Sequence, residues 1–329
     1  MPSVLFLCTG NSCRSILAEA LWREETAGTW HCASAGTHPA ASPHPLAIAV
    51  LKEDQIPVDE LQSQAMEDLN SQQFDLAVTV CDAAHQHCPV FANATRTLHW
   101  PFPDPATHSE VGETTQLGLD VFRTARDAIR KRIQRHLLAS DLIDRLDLII
   151  EQLPGEIPEE RRLAYGDLAR RCAGALDEGN PWTALPEIVL EVMSPFGWDW
   201  NGIYLLRGEI PGRRLELAHA AGPPVCNTIQ EQQGGASGMC FDAIEQGSIL
   251  VAADVDRWPG YIRCDGESGL RTVAGIARPI FGDSGEVVAV WDLDASEAVH
   301  ASDALVMDAL IERLGADGPP AVGSGWSRP

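Results

Sequence analysis

Cys8-Thr9-Gly10-Asn11-Ser12-Cys13-Arg14-Ser15 puts a thiol and a guanidinium at the two ends of a loop of small polar residues. A nucleophile needs to be ionised, and a tetrahedral oxyanion needs donors on several sides. The backbone N–H groups of Thr9, Gly10, Asn11, Ser12, Cys13 and Arg14 can converge on one point, the arrangement that binds anions where a loop enters a helix. Arg14 adds a planar fork of donors. That positive field is expected to lower the pKa of Cys8 and make its thiolate available near neutral pH. Ser15 is placed to donate to the thiolate, and Gly10 lets the loop turn without a Cβ clash. A buried cysteine at a strand end would account for the sulfur, but not for the polar residues that follow it.

Such a loop must be held between two regular elements. Val4 to Leu7 reads as a buried strand and Ile16 to Glu25 as a helix. His31 to Gly36 reads as a short strand, Leu46 to Asp54 as a helix, and Asp75 to Cys81 as another buried strand. Thr95 to Trp100 is a further strand, and Leu117 to Leu138 a long amphipathic helix. Strands alternating with helices predict an α/β fold, a doubly wound parallel sheet of the flavodoxin kind, with ligands at the carboxyl ends of its strands. Cys8, Cys81 and Asp104 each follow such an end. Cys88 lies seven residues beyond Cys81. In a helix the two would sit about 10 Å apart, too far for a disulfide, which needs Cα atoms within roughly 7 Å. Either no bond forms, or the segment unwinds. His85 and His87 beside Cys88 are read as part of a solvated segment rather than as metal ligands.

The Cys8–Ser15 loop, the Cys81…Cys88 pair before Pro89, and His99-Trp-Pro-Phe-Pro-Asp104-Pro105 together resemble the thioredoxin-coupled arsenate reductases, which share the fold and loop of low-molecular-weight tyrosine phosphatases. The resemblance covers residues 1–139. It implies that Cys8 attacks arsenate and Asp104 protonates the departing oxygen. Cys81 then attacks the Cys8 sulfur and releases arsenite, and Cys88 carries the disulfide out to thioredoxin or another thiol donor, with no bound cofactor and no metal. Asn11 and Ser15 would orient the loop and stabilise the thiolate. A low-molecular-weight phosphatase is the alternative, weakened by Ala106 where phosphatases carry an aromatic residue, and by the thiol pair that they do not need.

The remaining composition bounds the molecule. At 329 residues the chain has room for two domains, and its net charge is −23. Residues 1–139 hold 10 Lys+Arg against 16 Asp+Glu, and residues 140–329 hold 14 against 31. An acidic surface of this kind repels phosphate backbones, so nucleic acid is not an expected partner. No apolar run is long enough for a membrane span. Nine cysteines without an export signal suggest the reducing cytoplasm. Charged residues and the breakers Leu153-Pro154-Gly155 and Ile157-Pro158 predict a linker at 140–162, and a helix follows from Leu163 to Leu176.

From Trp198 onward short strands and turns predominate, and Asp303 to Leu314 is helical, predicting an α+β domain over 163–315 with a disordered tail at 316–329. Cys226, Cys240 and Cys264, with Trp198-Asp-Trp200 and Trp291-Asp292-Leu-Asp294, resemble the free methionine-(R)-sulfoxide reductases, which are GAF domains. The resemblance implies that Cys264 attacks the sulfoxide and that Cys226 and Cys240 resolve it. Asp292 and Asp294 would polarise the substrate, and Trp200 would pack against it. Arg271 stands where that family has a further carboxylate, with Glu267 nearby. A rival reading is a sensor whose three thiols bind arsenite, a soft thiophilic species, without turnover, in an arsenic-responsive regulator.

Overall fold

The computed structural model describes residues 1–81, 91–108, 116–232, 238–262 and 271–318. The chain divides into two compact units, Met1–Gln134 and Arg135–Pro329.

In the first unit, β1 (Ser3–Cys8) is buried along its whole length, as a strand covered on both faces must be. It lies inside a four-stranded sheet ordered β2-β1-β3-β4. β2 is His31–Gly36, β3 is Phe74–Thr79 and β4 is Ala94–His99. All three pairings are parallel. The parallel α/β sheet expected from the alternating pattern is therefore present, with strand ends within a residue or two of their predicted places. Phe74, Leu5, Leu7, Ala35 and Ala77 pack together in its core.

Helix α1 (Arg14–Glu25) starts directly after the polar loop and buries Ile16, Leu17, Leu21 and Trp22. Helix α2 (Pro45–Glu53) has Pro at its first position, where a missing N–H costs nothing, and the His44 ring accepts from the Leu46 N–H. Helix α3 (Gln116–Gln152) is tied to α1 and α2 by Arg126 and Arg130, which both reach Asp54, and by Arg130 reaching Glu24.

The linker expected from residue 140 is not where the chain loses its helix. Helix α3 continues to Gln152, and α4 (Glu159–Glu178) begins directly after Pro158. The reason lies in the apolar spacing. Ala139, Leu142, Leu146 and Ile150 recur three or four residues apart and are buried, so the charged residues between them are simply the wet face. Pro154 and Pro158 mark where the helices end rather than a long flexible stretch.

The second unit continues with α5 (Pro181–Met193), β5 (Trp198–Arg207), β6 (Arg214–Ala221), β7 (Thr228–Gln230) and α6 (Met239–Gln246). It closes with β8 (Leu250–Ala252), β9 (Ala274–Phe281), β10 (Val287–Ala295) and α7 (Ala301–Leu314). The six strands form one antiparallel sheet ordered β7-β6-β5-β10-β9-β8, so the expected α+β class holds. One face packs Trp291, Leu293 and Ile203 against Leu146, Leu168, Leu185, Val189 and Leu310 of the helices. The other face carries Val290, Tyr204 and Leu215 against Met239 and Phe241 of α6. Along β10 the side chains alternate, so Asp292 and Asp294 share the α6 face with Val290. The fully buried Asp303 carboxylate is satisfied by Arg161, Tyr165 and the Trp198 indole. Among the described residues, no helix is long and apolar enough to cross a membrane.

Candidate active site

The polar loop leaves β1 at Cys8 and joins α1 at Arg14. Its carbonyls are drawn to one side. Thr37, His38, Ala40 and His44 donate their N–H groups to the carbonyls of Cys8, Thr9, Gly10 and Ser12. Across a trans peptide the carbonyl and the next N–H point in opposite directions, so the N–H groups that follow these carbonyls turn the other way. Gly36 permits this approach: a Cβ there would sit 2.6 Å from the Thr9 carbonyl oxygen.

Asn11 adopts a positive φ of 41°, a conformation that asparagine tolerates better than most residues. Its N–H donates to the Cys8 Sγ at 3.0 Å. Its side chain donates to the Ser15 and Ser34 hydroxyls at 3.0 and 2.8 Å, and accepts from the Gln64 N–H at 2.8 Å. Ser63 Oγ donates to the Asn11 carbonyl, and Ser34 Oγ to buried Glu19. Ser15 Oγ lies 2.9 Å from Cys8 Sγ. Thus Ser34, Ser63, Gln64 and Glu19, none of them singled out in the sequence, brace the one residue that both bends the loop and touches the sulfur. Only Glu19 carried a signal, an acid inside the apolar helical run Ile16 to Trp22.

The expected lowering of the Cys8 pKa is not what the structure gives. Burial pushes the thiol up, and the Cys81 sulfur adds to this, while the bonds from Ser15 and the Asn11 N–H pull it down. The Arg14 fork is turned elsewhere, with one arm donating to the Phe102 carbonyl at 2.9 Å and the other to Asp104 at 2.9 Å. Burial also pushes Cys13 to about 11.

Cys8, Cys13, Arg14, Cys81, Asp104 and Ala106 line one open cavity, together with Thr9, Gly10 and Ser12. Cys81 lies just past β3, with the Thr9 hydroxyl 3.6 Å from its sulfur. Asp104 lies beyond β4 and also accepts the Ala106 N–H at 3.0 Å. Cys88 lies outside the described residues, as do His85 and His87. Cys32 and Cys172 are buried, and burial pushes both thiols to about 12, consistent with packing roles.

In the second unit a small cavity is lined by Cys240, Asp292, Asp294, Met239 and Tyr261, among others. The Cys240 thiol bonds Asp292, yet burial still pushes that carboxyl up to about 6. The Tyr261 hydroxyl, unremarked in the sequence, stands 3.5 Å from Asp294. Two expected members are elsewhere. Trp200 is buried beneath Gly202 and Gly222 rather than lining the cavity. Cys226 is exposed in the connection between β6 and β7, its carbonyl accepting from Tyr204. Cys264 and Glu267 lie outside the described residues.

Comparison with known proteins agrees with the first unit's construction. Residues 3–146 match the family model described as low molecular weight phosphotyrosine protein phosphatase. An arsenate reductase of Halalkalibacterium halodurans is 37% identical over 131 residues, covering 40% of this chain and 91% of that protein. A solved thioredoxin-dependent arsenate reductase of Corynebacterium glutamicum is 26% identical, covering 41% of this chain and 62% of that one, with a TM-score of 0.31. A solved free methionine-R-sulfoxide reductase of Neisseria meningitidis is 25% identical, covering 50% of this chain and 93% of that one, with a TM-score of 0.41. By its first unit, then, the chain belongs to the low molecular weight phosphotyrosine protein phosphatase family, alongside that family's arsenate reductases.

Proposed function

We propose that the first unit is an arsenate reductase of the cytoplasm working through a thiol relay. The observation that carries this reading is the shared cavity: the Cys8–Arg14 loop, its guanidinium, a carboxyl acid and two strand-end thiols open on the same space. The Cys8 thiolate attacks arsenic, forming an S–As bond while one As–O bond breaks, and Asp104 supplies the proton with which that oxygen leaves as water. Cys81 then attacks the Cys8 Sγ. The S–S bond forms as the S–As bond breaks, and its electron pair stays on arsenic, so As(V) departs as arsenite. Cys88 next attacks Cys81, freeing the Cys8 thiolate, and the Cys81–Cys88 disulfide is reduced by thioredoxin or a similar dithiol. Ser15 and Asn11 hold the leaving and attacking forms of Cys8 through the bonds already described.

Ala106, which lines the cavity beside Asp104, favours this over phosphotyrosine hydrolysis, since it offers no aromatic wall for a phenyl ring. For the second unit, the cavity holding Cys240, Asp292 and Asp294 supports a GAF-type site for free methionine-(R)-sulfoxide, with Cys264 as attacking thiol. The test uses the purified full chain with arsenate, p-nitrophenyl phosphate and free methionine sulfoxide, with and without thioredoxin. Thioredoxin-dependent arsenite release is expected, lost in Cys8→Ser and halted before arsenite release in Cys81→Ser. Thioredoxin-independent hydrolysis of the ester without arsenate turnover would make the chain a phosphatase. Arsenite binding at the second unit without sulfoxide turnover would make that unit a sensor.

A further inference from the structure

The Arg14 side chain, 13% exposed, gives one arm to the Phe102 carbonyl and the other to the Asp104 carboxylate. Asp104 is held in turn from the opposite side, its second oxygen accepting the Ala106 N–H. The guanidinium that an incoming oxyanion must use is therefore already occupied by an anion of the protein. The acid expected to serve the departing oxygen is meanwhile used only as an acceptor.

From this geometry we infer that Asp104 is the resident anion of the cradle, and that a tetrahedral oxyanion binds by displacing it from Arg14. This rests on the oxyanion reading of the loop given above and adds a selectivity to it. An anion must outbid a carboxylate for the guanidinium fork. A tetrahedral dianion does so with more charge and more acceptor oxygens than the carboxylate has, whereas a singly charged anion gains little by the exchange. Displacement also frees the Asp104 oxygen that Arg14 held and leaves the carboxylate in the same cavity as the bound anion, away from the guanidinium, where it takes up a proton from solvent and can pass it to the departing oxygen. Ordering follows: the acid is released only when the site is filled.

Inorganic phosphate, which binds such a cradle without being reduced, is the probe. Its affinity for the full chain would be measured by isothermal titration calorimetry for the wild type and for Asp104→Asn, which keeps the size and an acceptor oxygen but removes the competing charge. The variant is expected to bind phosphate roughly two- to fivefold more tightly, the range for a partly exposed ion pair of up to about 1 kcal/mol, while losing arsenate turnover. Unchanged or weaker phosphate binding in a variant with a wild-type melting curve would overturn the inference, because removing a carboxylate that competes for Arg14 must strengthen binding. If Asp104→Asn does not melt cooperatively, Asp104→Ala is measured under the same criterion. The two readings fail separately. Tighter phosphate binding with no arsenate reduction in the wild type leaves the displacement standing and removes the reductase. Arsenate reduction with unimproved binding does the opposite.

Discussion

Cys8 is buried, at 4% exposure, and its thiol is pushed up by that burial. Its ionisation therefore depends on the two groups that oppose burial, Ser15 and the Asn11 N–H. Hydrogen bonds to a charged group are worth about 1.5–3 kcal/mol, so Ser15→Ala is expected to slow iodoacetamide alkylation of Cys8 at neutral pH on the order of tenfold. The sign follows from the reacting form. The thiolate reacts, so the rate climbs with pH until the thiol is ionised, and loss of a bond that favours the thiolate moves that climb to higher pH. Superimposable profiles for wild type and Ser15→Ala would show that the hydroxyl does nothing for the charge. The same raised thiol bears on stability. A thiol that ionises later when folded than when unfolded leaves the folded chain binding more protons, so stability is lost as pH rises past the unfolded value. The residue types of this loop could be read without coordinates because each is required by local chemistry. The direction of the Cys8 shift could not be read, because it depends first on how deeply the packed elements bury the sulfur, and next on Cys81, which lies far along the chain.

At the scale of elements, the strands and helices flanking the loop were legible because a buried strand and an amphipathic helix each leave a periodic trace. In α3 the trace extends past its charged stretch. Its buried positions run on through Leu142, Leu146 and Ile150, although the charged residues between them resemble a linker when the chain is scanned by composition. Leu146 is 1% exposed, and truncating a buried leucine costs about 2–5 kcal/mol. Leu146→Ala is accordingly expected to lower the thermal midpoint of the second unit by several degrees, measured by calorimetry on the full chain. A flexible linker at this position would tolerate the change with no shift. The shortest elements leave no such trace. β7 spans three residues and α6 eight, too few for periodicity to separate from chance. Helix α5 carries Pro186 in its interior, a residue that ordinarily argues for a break; the carbonyl of Pro186 is nevertheless bonded by Asn201 Nδ2.

For the molecule as a whole, a net charge of −23 sets a repulsive field against the oxyanion that the local cradle attracts. At 0.15 M salt such fields are screened beyond about 8 Å, which leaves the short-range cradle intact. The kcat/KM for arsenate is therefore expected to rise, by a factor of a few, as potassium chloride is raised from millimolar levels to that strength. A fall would mean that local positive charge steers the anion even from a distance. By itself the amino-acid sequence determined the two-part plan, the parallel sheet, and the loop in which a sulfur meets a guanidinium, since each is written in spacing along a short stretch. Only the tertiary structure decided that Asn11 is braced by Ser34, Ser63 and Gln64, that Trp200 belongs to the core rather than the cavity, and that Arg14 already holds Asp104. These are contacts between residues far apart in the chain, chosen by how the packed elements bring them within reach, and no local pattern encodes that choice.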